Sequence, residues 1–159
     1  MKRYLRNHDA ISETEQSRLA EKHVLVVGCG GLGGMLIECL ARIGVGHLRV
    51  VDGDLFDETN LNRQLLSSTM NLSRPKTLAA QQRVMAVNPL VKVEAFQTLL
   101  TEENAADLLS GCDVAVDALD NIPARLLLQQ AAKAANIPLV HAAVAGWVGQ
   151  VCVIQPGQD

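Results

Sequence analysis

Apolar residues along this chain alternate between short runs, typical of buried strands, and helical spacing. Val24 to Val27 form a run too short for a helix, and their β-branched side chains predict a strand buried on both faces. Helical spacing follows at once in Met35, Leu36, Cys39, Leu40 and Ile43. The same alternation predicts further strands over residues 47–52, 91–96, 113–118, 138–142 and 149–154, and helices over 74–87, 102–109 and 121–135. Strands that alternate with helices predict an α/β fold.

The turn between the first strand and its helix carries glycines in the spacing G-x-G-x-x-G. Gly28 permits a tight turn, Gly30 lets the backbone approach a phosphate, and Gly33 lets helix pack near strand. The helix N-terminus then offers unpaired N–H groups to an anion. Together these features predict a Rossmann-like fold, a doubly wound and mostly parallel sheet with helices on both faces, that binds a nucleotide.

The chain is divided into an N-terminal arm and helix, residues 1–22, and a Rossmann-like nucleotide-binding domain, residues 23–159, within a single domain overall. Ser12 and Glu15 form a capping box that predicts a short helix to about Glu21. Arg6 precedes this helix on a segment with no evident core of its own. That segment is either a frayed terminus or an arm that reaches another subunit.

Polar residues collect where predicted strands end. Asp52 ends the second strand, where an acid commonly takes the hydroxyls of an adenosine ribose. The long polar connection that follows is typical of a functional loop and carries Asp54, Asn60, Arg63 and Gln64. Lys76 begins the next helix, where a cation opposes the helix dipole, so beside a phosphate site it is a candidate phosphate ligand. Asp120 and Asn121 follow the fourth strand, at the sheet edge where ligands bind.

Composition excludes several other classes. The chain has 159 residues, a net charge of −3 and no basic run, which argues against nucleic acid as a partner. The four cysteines contain no C-x-x-C pair, and the four histidines lack metal-ligand spacing. Cys29, in the glycine turn, is interpreted as a packing residue. No apolar run approaches 18 residues and the start has no leader-like apolar stretch. We expect a reduced, cytoplasmic protein that does not enter a membrane.

The motifs RYLR, GCGGLGG, DGD, NLNRQ, RPK, NP and LDN occur in this order and resemble the ThiF/MoeB/HesA family of adenylyltransferases. These proteins are bacterial relatives of ubiquitin-activating enzymes. Each motif alone is weak, because the glycine turn would equally suit a dehydrogenase. Their combination at family spacing covers the chain from Arg3 to about Gln155.

The resemblance implies a site for ATP and Mg²⁺. The catalytic residues would be Arg63, Lys76 and Asp120, with Asp120 also the magnesium-associated aspartate. Arg6 would reach across a homodimer to the ATP of the neighbouring subunit. The residues implied to bind ATP are Gly28, Gly30, Gly31, Gly33, Asp52, Asp54, Asn60, Arg63, Gln64, Lys76, Asp120 and Asn121.

The resemblance also implies a reaction and a partner. In the family, the C-terminal carboxylate of a small ubiquitin-like carrier ending in Gly-Gly attacks the α-phosphorus of ATP, which gives an acyl-adenylate and pyrophosphate. Relatives continue past the sixth strand with two C-x-x-C pairs that hold a structural zinc, and this sequence lacks them, so we interpret it as the ATP-binding half. Two alternatives stay open, an NAD-dependent oxidoreductase and a catalytically idle nucleotide-binding relative.

Overall fold

A computed structural model describes residues 2–157 of the chain as one six-stranded sheet flanked by helices. The strands are β1 (His23–Val27), β2 (His47–Val51), β3 (Lys92–Phe96), β4 (Val114–Asp117), β5 (Leu139–Ala145) and β6 (Val148–Ile154). The helices are α1 (Glu13–Leu19), α2 (Gly31–Ile43), α3 (Lys76–Val87), α4 (Glu102–Leu109) and α5 (Ile122–Ala134). Short 3₁₀ helices cover Lys2–Asn7 and Glu58–Asn60.

The strand order is β3-β2-β1-β4-β5-β6, with β1 to β5 parallel and β6 antiparallel to β5. The chain winds outward from β1 through β2 and β3, then crosses back to place β4 on the other side of β1. This reversal creates a crevice at the carboxyl ends of β1 and β4, the place where open α/β sheets bind ligands. The predicted Rossmann-like, doubly wound, mostly parallel sheet is confirmed.

Helices cover both faces of the sheet because alternate strand residues point to opposite sides. On one face Val26 and Val50 pack with Ile37 of α2 and Ala80 of α3. On the other face Val27, Ala115 and Leu139 pack with Leu108 of α4 and Leu128 of α5. β1 is buried on both sides, whereas the edge strand β3 is largely exposed, as the sequence pattern predicts.

Helix ends follow the local sequence. Ser12 caps α1 in a capping box with Glu15, and Asn121 caps α5 by accepting from the Ala124 N–H at 2.9 Å. α2 ends at Gly44, whose φ of 94° is the left-handed conformation that suits glycine. These caps are predicted correctly from residue type and spacing.

The structure corrects the predicted ends of β5 and β6. The sequence predicts that β5 stops at residue 142 before a small-residue turn, but β5 runs to Ala145 and pairs with Val148 at the start of β6. Only Gly146 and Trp147 form the turn, and Gly146 has a φ of 59°. A two-residue hairpin turn with a positive-φ glycine lets both strands continue to its edge, so the small residues belong to the strand.

The N-terminal segment is attached to the domain by Tyr4, which is buried. Asn88, at the end of α3, donates from Nδ2 to the Tyr4 hydroxyl and to the Ala41 carbonyl, both at 2.8 Å. The Tyr4 ring also lies against Gly44, where a Cβ would come within 2.7 Å of it. Tyr4 therefore supplies the core contact that the sequence analysis did not find. Whether Arg6, which is exposed, reaches another subunit stays a prediction.

Candidate functional site

The glycine turn joins β1 to α2 at the carboxyl edge of the sheet. Gly28 has a φ of 99°, and a Cβ there would lie 2.5 Å from the Ala118 carbonyl oxygen. A Cβ on Gly33 would overlap the Gly28 carbonyl oxygen and lie 3.2 Å from the Ala118 side chain. At Gly30 only the Gln64 amide is close, 3.5 Å away. Packing therefore requires glycine at the first and third positions, whereas Gly30 faces open space.

That open space is a cavity of about 630 Å³ over the crevice between β1 and β4. Its walls come from loops after four strands, so residues distant in sequence meet there. Of the predicted site residues, the cavity is lined by Gly28, Gly30, Gly31, Asp52, Asp54, Arg63, Gln64, Lys76, Asp120 and Asn121.

Three of the residues predicted to bind ATP do not line this cavity. Gly33 packs beneath the turn. Asn60 is buried, and its Oδ1 accepts from the Asp57 N–H at 3.2 Å, which caps the short 3₁₀ helix. Arg6 lies on the N-terminal 3₁₀ helix. Gly33 and Asn60 thus support the backbone segments that form the cavity wall. Direct contact of Gly33, Asn60 or Arg6 with a ligand stays a prediction.

Asp52 ties the glycine turn to the end of β2. Its Oδ2 accepts from the Cys29 N–H at 2.7 Å and its Oδ1 from the Asp54 N–H at 2.8 Å. Each carboxylate oxygen has a second lone pair, so both can still accept from ribose hydroxyls. Burial, and then the charge of Asp52, raise the pKa of the Cys29 thiol, so Cys29 is not a nucleophile at neutral pH.

Lys76 is a buried cation at the start of α3. Its Nζ lies 2.8 Å from Oδ2 of Asp54, and its N–H donates to the Asp54 carbonyl at 3.1 Å. The Lys76 side chain is 8% exposed, whereas the Asp54 side chain is 64% exposed. A buried ammonium needs a partner, and the Asp54 carboxylate explains how a lysine is tolerated at a helix N-terminus.

Arg63 and Gln64 lie on the loop after the Glu58–Asn60 helix. Arg63 is exposed and donates from Nη1 to the Thr59 carbonyl at 2.8 Å and to Asn62 Oδ1 at 3.1 Å. Gln64 is buried against the glycine turn, and its Oε1 has no hydrogen-bond partner among the described residues. The orphaned oxygen is an acceptor, so it fits a ligand group that donates a hydrogen bond, such as a ribose hydroxyl, rather than a phosphate oxygen, which only accepts.

Asp120 and Asn121 lie on the loop between β4 and α5. Asn121 uses its side chain to cap α5, whereas Asp120 is exposed and has no hydrogen-bond or ion-pair partner anywhere in residues 2–157. A single free carboxylate facing a phosphate site fits Mg²⁺, which commonly takes one or two carboxylates and completes its shell with phosphate and water oxygens. Within the described range, no cluster of three His, Cys, Asp or Glu residues could by itself hold a metal ion.

Several residues of this cavity carry no pattern in the sequence that led to their prediction. Thr98, Leu99 and Leu100, after β3, form one wall, and Leu99 is 68% exposed. Arg125, on the first turns of α5, forms another. Its position after the Asn121 cap resembles that of Lys76, and a cation this close to a helix N-terminus is the signal that could have found it. Leu99 offers no such signal, because only the fold brings it to the cavity.

The fold and this cavity define a nucleotide-binding α/β protein of the Rossmann type. Residues 3–159 match the ThiF family, and the chain belongs to it. It is 46% identical over 138 residues to a sulfur carrier protein adenylyltransferase of Thermus thermophilus, covering 87% of this chain and 51% of that protein. It is 39% identical over 148 residues to a SAMP-activating enzyme E1 of Haloferax volcanii, covering 93% of this chain and 55% of that protein.

The fold of the chain also matches that of a solved structure. The tRNA N6-threonylcarbamoyladenosine dehydratase of Escherichia coli, in complex with ATP, matches with a TM-score of 0.88 and 28% identity over 92% of this chain and 61% of its own. The chain spans about half the length of the two curated relatives described above. None of the helices within residues 2–157 is long and apolar enough to cross a membrane.

Proposed function

We propose that this chain is the ATP-binding part of an adenylyltransferase that activates the C-terminal Gly-Gly carboxylate of a small ubiquitin-like carrier protein. The observation that carries this proposal is the meeting of Lys76, Arg63 and Asp120 around one glycine turn. A dinucleotide needs the turn and the ribose acid but gives these three side chains no evident role. The curated relatives, named for the adenylation or activation of carriers, support the same assignment.

The proposed reaction joins two anions. An oxygen of the carrier carboxylate forms a bond to the α-phosphorus of ATP, the bond from that phosphorus to the bridging oxygen breaks, and pyrophosphate leaves. A carboxylate is already ionised at neutral pH, so the site needs no general base. Its task is to reduce charge repulsion and to hold the two groups in line. This accounts for a cavity with cations and acids but without an activated nucleophile.

Each side chain then has a task. Backbone N–H groups at Gly30 and Gly31 and the Lys76 ammonium bind phosphate oxygens, with Arg63 turning inward from the surface to compensate developing charge. Asp52 receives the ribose hydroxyls. Asp120 would hold Mg²⁺, which supplies positive charge to the polyphosphate. Since Lys76 is buried and already held by Asp54, it is placed for this role before ligand arrives.

A homodimer is part of the proposal, because Arg6 lines no part of the cavity of its own chain. Leu32, Met35, Cys39 and Ile43 recur at helical spacing on α2, and all are exposed. Such an apolar stripe suits burial against a second copy. Light scattering at micromolar concentration tests the association, and a monomer with unchanged exchange activity in Arg6→Ala would contradict the role of Arg6.

Calorimetry on this chain separates the proposal from the oxidoreductase alternative. We expect Mg-ATP to bind and NAD to bind at least about tenfold more weakly, a difference of about 1.4 kcal/mol. Tight NAD binding without Mg-ATP binding would overturn the proposal. Carrier-dependent exchange of pyrophosphate into ATP, measured on a full-length protein containing this chain, separates an active adenylyltransferase from an idle relative. Exchange that does not depend on a Gly-Gly carrier would contradict the assigned substrate.

A further inference from the structure

Asp117, at the end of β4, is a deeply buried carboxylate with no role in the function proposed above. Asp117 is 1% exposed, and an ionised carboxylate at such a depth is unfavourable unless it is paired. Its Oδ2 lies 2.6 Å from Nδ1 of His141, the residue beside it in register on β5. Its Oδ1 accepts from the Leu119 N–H at 2.9 Å. Asp117 thus links β5 to the loop that leads to Asp120.

Arg125 holds the other side of the same loop. Its guanidinium lies 4.0 Å from Oδ2 of Asp117, and its Nε donates to the Leu119 carbonyl at 3.0 Å, with a second bond from Nη2. Both polar groups of the Leu119 backbone are therefore bound, the N–H by Asp117 and the carbonyl by Arg125. Asp120 follows directly and has no hydrogen-bond or ion-pair partner in the described part of the chain. Its position depends on how firmly Leu119 is held.

We propose that Asp117, His141 and Arg125 form a clamp on Leu119 that positions Asp120 for Mg-ATP, and that His141 is a positioning residue acting through Asp117. This inference rests on the proposed role of Asp120 at the nucleotide. His141 does not line the cavity, so its proposed effect runs through Asp117 and not through contact with the nucleotide. Its Nδ1 proton fixes the Asp117 carboxylate, which in turn fixes the Leu119 N–H. Partners that orient a metal-binding group in this way commonly change metal affinity 10- to 100-fold when removed.

Two substitutions at one position separate this role from general packing. In His141→Asn the amide nitrogen takes nearly the place of Nδ1, so the donor to Asp117 is kept. His141→Leu removes the donor but fills similar space, and His141→Gln, whose donor sits one bond further out, replaces it if the leucine variant does not fold. His23→Leu is the matched control. His23 also lies near a carboxylate, with its Nδ1 3.9 Å from Asp113, but it is at the amino end of β1, away from the carboxyl ends of the strands where the cavity lies.

The first measurement is calorimetry of ATP with Mg²⁺ and of ATP with chelator, in the wild type and in an Asp120→Asn background. We expect His141→Leu to weaken Mg-ATP binding about tenfold, with little change for ATP without metal and no further loss beside Asp120→Asn. His141→Asn and His23→Leu should bind as the wild type does. Equal losses with and without Mg²⁺, or losses that add to Asp120→Asn, would overturn the clamp. Normal Mg-ATP binding by Asp120→Asn would instead refute the proposed role of Asp120 itself.

The second measurement needs no ligand. Hydrogen exchange at the Leu119 amide reports the clamp directly, because that N–H donates to Asp117. We expect exchange to quicken about tenfold or more in His141→Leu and to stay unchanged in His141→Asn. The Gly28 amide, which donates to the Val51 carbonyl at 2.8 Å, is the internal reference. Equal protection of Leu119 in the leucine variant and the wild type would overturn the inference.

Discussion

Substitution by alanine should have different effects at Gly30 and Gly33, two glycines of the G-x-G-x-x-G motif. At Gly33 a new Cβ would overlap the Gly28 carbonyl oxygen, which belongs to the backbone and cannot rotate away. At Gly30 the nearest atom would be Nε2 of Gln64 at 3.5 Å, an ordinary contact. Gly33→Ala is therefore expected to damage the fold, and Gly30→Ala to spare the fold while placing a methyl group where the proposed phosphates approach.

The magnitudes follow from these contacts. Overpacking costs about 1–3 kcal/mol, and the rigid neighbours of Gly33 place it near the upper end. Alanine recovers up to about 1 kcal/mol because Gly33 lies within α2. A net loss of about 2 kcal/mol lowers the melting temperature by about 4–8 °C in a chain of this size. Gly30→Ala should change the free energy of unfolding by less than about 1 kcal/mol. Loss of one charge-assisted phosphate contact, about 1.5–3 kcal/mol, weakens Mg-ATP binding about tenfold or more.

Thermal unfolding followed by circular dichroism and titration with Mg-ATP test the pair together. The expected result is an unstable Gly33→Ala protein and a stable Gly30→Ala protein that binds Mg-ATP poorly. Gly31→Ala is a reference for stability alone, since the nearest neighbour of its Cβ would be the Arg63 carbonyl oxygen at 3.7 Å, an ordinary contact. If Gly30→Ala binds Mg-ATP as tightly as the wild type, the phosphates do not lie on this turn. If Gly33→Ala has the melting temperature of the wild type, the close packing of α2 against β1 is not the reason that position 33 requires glycine.

Three further changes test other parts of the molecule. Asp120→Ala, in a full-length protein, should abolish pyrophosphate exchange yet leave the melting temperature within a few degrees, since this carboxylate is exposed and unpaired within residues 2–157; a collapsed fold would make it structural. Glu38 of α2 is buried, and hydrogen bonds from Arg83 and then Arg42 lower its pKa to about 2. The stabilising effect of the ionised Glu38 carboxylate is complete above about pH 4.5 and is lost as the pH falls towards 2. Solvent screens these ion pairs because the Arg42 and Arg83 side chains are about half exposed, so Glu38→Gln should lower the free energy of unfolding at pH 7 by only about 1–2 kcal/mol. The loss should be smaller at pH 3. Burial, and then the charges of His23 and Lys92, lower the pKa of His47. The folded state then takes up a proton less readily than the unfolded chain, so stability in urea should fall as the pH drops through 6.5, and His47→Gln should remove that dependence.

Much of the fold is encoded in local patterns. Val24 to Val27 could only be a short buried strand, and Ser12, Asn121 and Gly44 mark helix ends by their own chemistry. Because parallel strands share a carboxyl edge, residues that follow strands in the sequence meet at one site. This reasoning predicts that Asp52 and Asp120 lie at one site, whereas Lys76 is predicted there as a cation at a helix N-terminus beside a phosphate site. The sequence predicts the wrong end for β5 because alanine and glycine at residues 142–146 suit a strand and a turn almost equally.

The contacts that the sequence could not reveal are those set by register. Asp117 and His141 pair only because β4 and β5 align Ala115 with Leu139, and no local spacing encodes that alignment. Leu99 reaches the cavity because the loop after β3 folds over Gly53, where a Cβ would lie 2.8 Å from the leucine side chain. Such contacts depend on the whole sheet.

Asp117 and Asp120 lie three residues apart, yet their surroundings assign them different tasks. An unpaired carboxylate at the depth of Asp117 would cost several kcal/mol, and the protein avoids this with a histidine, an arginine and a backbone N–H. Those partners fix its position, so it cannot also move to a ligand. Asp120, in contact with solvent, needs no protein partner to offset burial and keeps its lone pairs available for a cation. A short loop with one acid immobilised and the next left unpaired can hold a metal-bound nucleotide in place and still release it.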